Sequence, residues 1–259
     1  MRDASLRIRP YITSDEKAVR LFIGRALMEG LAEANRRSAF HPITLALWLA
    51  LSAIMTQSLG WGPKPEFGWA GYLLPLPAFG CWGIALLYLL DWNNRPSFEE
   101  HTAAVLRRPD LRNILDHYSK TPPSSFFILE FNAKIVGFIA VDALGVDQDS
   151  NPEANTKDRL KSDSRSAKIR HFFVDEPYRK TNIQNDLMKH ALQHTFHDEH
   201  NIREVQIESS VLNGYVRQSL IDIGFKHGNT IRNVGIYGWA VQLCTLSRAK
   251  WRECCLSTT

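Results

Sequence analysis

Cysteine is scarce: Cys81, Cys244, Cys254 and Cys255 are the four in 259 residues, with neither metal-ligand spacing nor a paired framework. Their spacing excludes a disulfide scaffold and suits a reducing compartment, with Cys254 and Cys255 in a tail open to palmitoylation or left free. The segment from Met1 to Arg37 carries charges throughout and lacks the apolar core of a secretory signal. Basic stretches interleaved with aromatics are also missing, and 31 Lys and Arg against 27 Asp and Glu leave a net charge of only +4. No nucleic-acid partner is expected from such a balance. The sharpest deficit is local: Ser38 to Pro63 contains no Lys, Arg, Asp or Glu, and neither does Phe67 to Leu90.

Each of those runs exceeds the roughly 20 residues that cross a bilayer core as helix. Five of the seven tryptophans lie between Trp48 and Trp92, and Trp61, Trp69, Tyr72, Tyr88 and Trp92 gather towards the ends, as interfacial aromatics do. Gly62, Pro63 and Pro65 let the connector turn back, so a transmembrane hairpin over 38–92 is expected, with Pro75 and Pro77 kinking or shortening its second span. Arg36, Arg37 and Arg95 flank the hairpin while the connector offers Lys64 alone, which directs both ends to the cytosol. A buried hairpin in a soluble core is the competing reading of the same runs.

Outside the hairpin the periodicity alternates between two and 3.6. Leu6 to Ile12 alternates as a strand, and Thr13 with Glu16 opens a helix by a capping box, its apolar spacing running to Gly30. Pro96 and Ser97 introduce a second helical region, Phe98 to Tyr118, interrupted near Pro109. Phe126 to Phe131 and Lys134 to Val141 pair through Asn132 and Ala133. Residues 145–167 are polar and read as a flexible loop. Lys168 to Val174 is a strand, Ile183 to Phe196 an amphipathic helix, and Glu204 to Glu208 a short strand. Asn213 caps a helix ending at Gly224, and Phe225 to Arg232 with Ile236 to Leu243 form a closing hairpin.

Between Lys168 and His200, a strand, a basic turn and a helix follow one another directly. Unpaired amides and the helix dipole at such a start favour an anion. His190, His194 and His197 fall opposite the apolar stripe of that helix and should face water, so no metal is expected.

Val174, Asp175, Glu176, Arg179, Asn182, Ile183 and Gln184 fall where the GCN5-related N-acetyltransferases (GNATs) carry their acetyl-CoA signature, Arg or Gln, two residues, Gly, one residue, Gly or Ala. The element order resembles the α+β GNAT acyl-CoA N-acyltransferase fold. With an apolar hairpin inserted after the first helix, the chain looks like the camello-like membrane-bound members. The resemblance implies a first strand and helix in 1–37, the hairpin in 38–92, the rest of the transferase in 93–247 and a tail in 248–259. It implies acetyl-CoA as co-substrate, a small-molecule or protein amine as acceptor, and a lipid-embedded anchor in an internal membrane such as the endoplasmic reticulum.

Cofactor binding is then expected from Phe173, Val174, Asp175, Arg179, Lys180, Thr181, Asn182, Ile183, Gln184 and Asn213. Asn182 and Gln184 replace the signature's small residues; asparagine tolerates a left-handed backbone, whereas the Gln184 side chain must find room beside the phosphate. Asn213 fits either a contact near the cofactor thiol or a plain helix cap. The family's "Tyr, three residues, Gly-Phe" pattern falls on Leu220, Gly224 and Phe225, and Lys168 stands where some members place a glutamate base. Tyr215 and Glu208 are the candidates for the acid and base roles. The same substitutions also fit a binding or scaffold module that keeps the fold without the chemistry.

Overall fold

The computed structural model describes residues 6–143 and 165–256. The chain forms two compact units: Met1–Leu27, Thr102–Asn233 and Ala240–Thr259 make one, and Met28–His101 with Val234–Trp239 make the other.

The first unit is built on a seven-stranded sheet of order β1-β2-β3-β4-β5-β7-β6. Its strands are β1 (Leu6–Pro10), β2 (Ser125–Phe131), β3 (Lys134–Asp142), β4 (Ser166–Val174), β5 (Glu204–Ser210), β6 (Lys226–Val234) and β7 (Trp239–Ser247). β4 and β5 run parallel, while β1 to β4 are antiparallel neighbours and β5 pairs antiparallel with β7. The β2–β3 turn is the expected one: Asn132 and Ala133 have φ of 49° and 62°, both left-handed, as a two-residue hairpin requires.

Both faces of the sheet are covered, so β2 reads as a continuous apolar run instead of alternating. Phe127 and Leu129 pack with α5 (Ile183–Thr195) and α6 (Gly214–Ile223). Phe126 and Ile128 pack on the other face with Val19 and Ile23 of α1 (Glu16–Ala39) and Ile114 of α4 (Ile114–Ser119). β3 ends at Asp142; most of the 145–167 segment lies outside the described residues, though Ser166 and Ala167 already belong to β4. The tail continues from β7 as a helix, α7 (Arg248–Leu256), whose Trp251 is buried against Phe196.

The start of the chain departs from the capping-box expectation. Asp15, not Glu16, closes the first turn, its Oδ2 accepting the Ile12 N–H at 3.2 Å and a 2.6 Å bond from Arg9 Nη1. α1 does not stop at Gly30 but runs to Ala39. Gly30 is there for space: a Cβ would stand 3.1 Å from the Phe98 ring.

In the second unit, α2 (Pro42–Ser58) is followed by a 3-10 stretch, Pro65–Leu73, and by α3 (Leu76–Leu106). Pro77 lies in the first turn of α3, where proline is tolerated, so it opens the helix instead of kinking it. Pro96 sits inside α3 without ending it, joining the expected second span to the expected following helix. By length and composition one stretch, Gly68–Leu106, could cross a membrane, and only 17% of its most apolar window is buried. The α1–α2 pair passes the same test only jointly, with a 56° bend between the two helices. The tip joining β6 to β7 also belongs to this unit: Tyr237 Oη lies 2.6 Å from Thr44 Oγ1, and the Ile236 N–H donates to Asn94 Oδ1 at 2.8 Å. The tip is wider than its sequence suggests, with β6 reaching Val234 and β7 starting at Trp239, around left-handed Gly235 and Gly238.

Candidate active site

β4 and β5 start together and then part. Their parallel ladder runs from Ser166–Glu204 to Ile169–Ile207 and stops, although β4 continues to Val174 and β5 to Ser210. The cause lies on the other edge of β4: against β3, Ala140 faces His171 and Val141 faces Ile169, so Arg170 is an extra, bulged residue. A bulge bends its strand and reverses which face later side chains take. Ala167 and Ile169 point to the α5–α6 face, whereas His171 and Phe173, past the bulge, are buried, Phe173 among the α1–α4 side chains.

Beyond the last β4–β5 rung the strand edge borders an opening. Asp175 N–H donates to Val136 O at 2.8 Å, so strand alternation turns the N–H and C=O of Val174 away from β3 and into that opening. The carbonyl accepts Arg179 Nε at 2.7 Å, and the Arg179 guanidinium lies 3.9 Å from the centre of the Tyr215 ring. A fixed backbone N–H aimed into such a gap suits the oxygen of a polarised carbonyl.

The turn after β4 is a 3-10 segment, Glu176–Thr181, capped by Asp175 Oδ1 on the Glu176 N–H at 3.1 Å. Asp175 also pairs with Arg25 of α1 at 3.1 Å. Asn182 then takes the left-handed conformation, φ 58°, and hands the chain to α5. The glycine-like backbone shape is therefore present on an asparagine, which bears it at lower cost than most residues. Lys180, Thr181 and Asn182 are exposed, and the first-turn amides of Ile183 and Gln184 precede the ladder of α5. The Gln184 side chain is turned inward on the stripe of Leu187 and Met188; it is 6% exposed, with its Oε1 unpartnered.

On the α4 side the sheet carries a buried polar group. His171 Nε2 lies 2.9 Å from Asp110 Oδ2, and Tyr118 Oη donates to the same oxygen at 3.2 Å. His117 Nε2 lies 3.0 Å from Asp142 Oδ2, which also accepts Arg170 Nε at 2.5 Å. Burial pushes the Asp110 carboxyl up, but the His171 contact, with Arg170 and Tyr118, more than offsets it and leaves the group below the usual carboxylate range. Burial and the Asp110 charge push the Tyr118 hydroxyl well above its ordinary value. On the same face, Lys168 Nζ holds Glu208 Oε1 at 2.8 Å, with Arg232 at 3.7 Å from the other oxygen. Burial raises the proton affinity of Glu208, and Lys168, Arg232 and Arg108 lower it further than burial raises it.

The expected residues thus fall into two sets. Phe173 to Gln184 follow one another from the end of β4 through the turn into α5, with Phe173 and Ile183 buried on opposite faces of the sheet, and Tyr215 meets this stretch through Arg179. Asn213 stands at the N-terminus of α6 without a side-chain cap bond. Glu208 is elsewhere: Val205 and Ile207 point to the α5–α6 face, so Glu208 faces the α4 side with Lys168 and approaches the opening from across the sheet. Leu220, at the tyrosine position, is fully buried core. His190 and His197 are exposed as expected, but His194 is half-buried with its ring edge-on to Phe127, 5.5 Å between centres. Among the described residues no His, Cys, Asp and Glu group could hold a metal. The His171 to Asp110 contact was not expected from sequence; its signal is a histidine leading the apolar end of β4, and no local pattern pairs it with Asp110, 61 positions away.

A family model for the acetyltransferase (GNAT) family matches residues 86–215, just over half of the chain. Among curated proteins no sequence matches. Among solved structures the chain is similar to spermidine N-acetyltransferase from Vibrio cholerae in complex with CoA and spermine, at 12% identity and TM-score 0.47, over 95% of this chain and 98% of that one. It is similar to a probable acetyltransferase from Staphylococcus epidermidis ATCC 12228, at 11% identity and TM-score 0.46, over 94% and 99%. It is also similar to Ard1 from Thermoplasma volcanium, at 21% identity and TM-score 0.39, over 53% and 78%. On the span of the family model the chain belongs to the GNAT acetyltransferase family, enzymes whose acyl donor is acetyl-CoA.

Proposed function

We propose that this chain is a membrane-held, camello-like N-acetyltransferase that moves acetyl from acetyl-CoA to an amine acceptor on the cytosolic side of an internal membrane. The observation that carries the transferase reading is the parting of β4 from β5 beyond Ile169–Ile207, directly before the α5 N-terminus. In this reading the amides of Ile183 and Gln184, with Arg179 and Lys180 beside them, hold the pyrophosphate, where helix dipole and cationic side chains act together. Phe173 to Asp175 line the pantetheine, and the Val174 N–H donates to the thioester oxygen. Arg179 gives up its bond to the Val174 carbonyl as the cofactor enters. Asn213 and Tyr215 stand near the thiol end, with the Tyr215 hydroxyl as proton donor. A thiol has a pKa of about 8.5, so the thiolate leaves with little help and the Leu220 position costs rate without abolishing transfer. Glu208, pinned by Lys168, keeps its charge and serves to position the acceptor amine.

The anchor reading assigns 38–92 to the bilayer, with 1–37 and 93–247 as the transferase. It is supported by the largely unburied apolar stretch Gly68–Leu106 and by Arg36, Arg37 and Arg95 beside 38–92 against Lys64 alone in the connector. Titration of acetyl-CoA into the detergent-solubilised protein tests the transferase. Saturable binding is expected, tightened by Gln184→Ala, and no binding at millimolar ligand overturns the reading. In sealed vesicles, added protease should cut within residues 145–167; protection would put the domain on the lumenal side.

A further inference from the structure

The polar contacts on the α4 side of the sheet exceed what packing requires. His171 and Asp110 are 7% and 2% exposed, and burying a histidine beside a carboxylate costs desolvation that an apolar pair would avoid. Asp110 accepts from His171 Nε2 and Tyr118 Oη through Oδ2 alone, while its Oδ1 is buried with no partner. Two donors on one carboxylate oxygen lock the imidazole into the tautomer with its proton on Nε2. Nδ1 is then the nitrogen that can take a proton. His171 also lies on the stretch of β4 that the Arg170 bulge swings past the last β4–β5 rung, so its backbone borders the opening.

We infer that His171 is the general base of the transfer and Asp110 its positioning residue, with Tyr118 fixing Asp110 in turn. The inference rests on the transferase reading above. His171 Nδ1 takes the proton of the acceptor ammonium, directly or through one water. The freed nitrogen lone pair attacks the thioester carbonyl, a C–N bond forms, the C–S bond breaks to release the CoA thiolate, and the second proton lost by the nitrogen passes to that thiolate by way of the Tyr215 hydroxyl. The orphan Oδ1 of Asp110 suits a water that links the pair to the opening. The charged groups around His171 are Asp110 before α4, His117 and Tyr118 on α4, Asp142 on β3, Lys168 and Arg170 on β4, Glu208 on β5, and Arg20 of α1, whose Nη1 donates to Leu111 O at 2.7 Å. Among these, only the His171–Asp110–Tyr118 chain joins an imidazole to a carboxylate that also holds an unpartnered oxygen.

The experiment follows thiol release from acetyl-CoA with a panel of primary amines across pH, in wild type, His171→Gln and Asp110→Asn, with thermal unfolding and acetyl-CoA titration alongside. In His171→Gln, kcat/KM for the amine is expected to fall by about 100-fold near neutrality. Its single-proton acid limb should disappear, and the deficit should shrink as pH rises and the amine frees itself. Acetyl-CoA affinity should stay unchanged. Asp110→Asn should lower kcat about tenfold at unchanged KM for acetyl-CoA. A folded His171→Gln that binds acetyl-CoA and keeps the wild-type limb and rate overturns the inference. Should His171→Gln fail to fold, Asp110→Asn decides: wild-type kcat overturns it as well. Wild type that binds no acetyl-CoA would instead defeat the transferase reading itself.

Discussion

The two compact units place their residues in different ways. In the sheet unit Leu129, Ile139, Val141 and Leu187 are fully buried, and charge lies outside or is paired within. In the helical unit Ile43, Trp69 and Ile84 are 64%, 79% and 73% exposed, whereas Ser38, Ser52 and Asn94 are fully buried. Water drives apolar groups inward; the sheet unit obeys that rule, while the helical unit buries Leu31, Leu86, Leu90 and Phe98 and leaves many other large apolar side chains exposed. Asn94 donates to Asn35 Oδ1 at 2.8 Å, Asn35 donates to Asp91 at 2.7 Å, and the Ser52 and Thr56 hydroxyls bond back to carbonyls of their own helix. Exposed large apolar side chains beside buried hydroxyl and amide groups are what the proposed anchor would need.

The largest predicted effect breaks this comparison if it fails. Ile139→Ala should destabilise the sheet unit by about 3 kcal/mol, while Ile84→Ala should move thermal stability in detergent by no more than about 0.5 kcal/mol. Equal losses would mean that Ile84 belongs to a core. Asn94→Ala comes next, since it removes the acceptor of the Ile236 N–H and the donor to Asn35 Oδ1; a loss of about 2 kcal/mol is expected in detergent melts. On the sheet side, burial raises the Asp15 carboxyl, but the Arg9 contact and the Ile12 N–H outweigh it, so the folded value lies below the ordinary 3.8. The stabilisation is therefore present above that unfolded value and lost as pH falls below it, and Arg9→Met should shift the acid-unfolding midpoint upward. The smallest effect is Ala133→Gly, which relieves a left-handed alanine at the β2–β3 turn at the cost of chain entropy, a net gain of about 0.5 kcal/mol in chemical denaturation.

The comparison also accounts for what was legible in the sequence. The charge-free runs and the β4–turn–α5 stretch are local patterns, and the strands, the Asn132–Ala133 hairpin and the stop at Gly224 follow from them. Gly30 misleads because its missing side chain makes room for Phe98, 68 positions later. Pro96 misleads because the surrounding helical turns carry α3 across it. Asn182 could be read as a glycine substitute from its known tolerance, and its φ agrees. The Arg170 bulge and the His171–Asp110 pair are set by register and by distant chain segments, so no window of sequence contains them.

A single flotation assay reaches the central claim. The full chain, reconstituted into liposomes and washed with alkaline carbonate, is floated through a density gradient, and acetyl-CoA-dependent thiol release with a panel of primary amines is measured in each fraction. The account predicts that protein and activity rise together with the lipid. Protein left at the bottom of the gradient, or floated protein that releases no thiol with any amine, would contradict it.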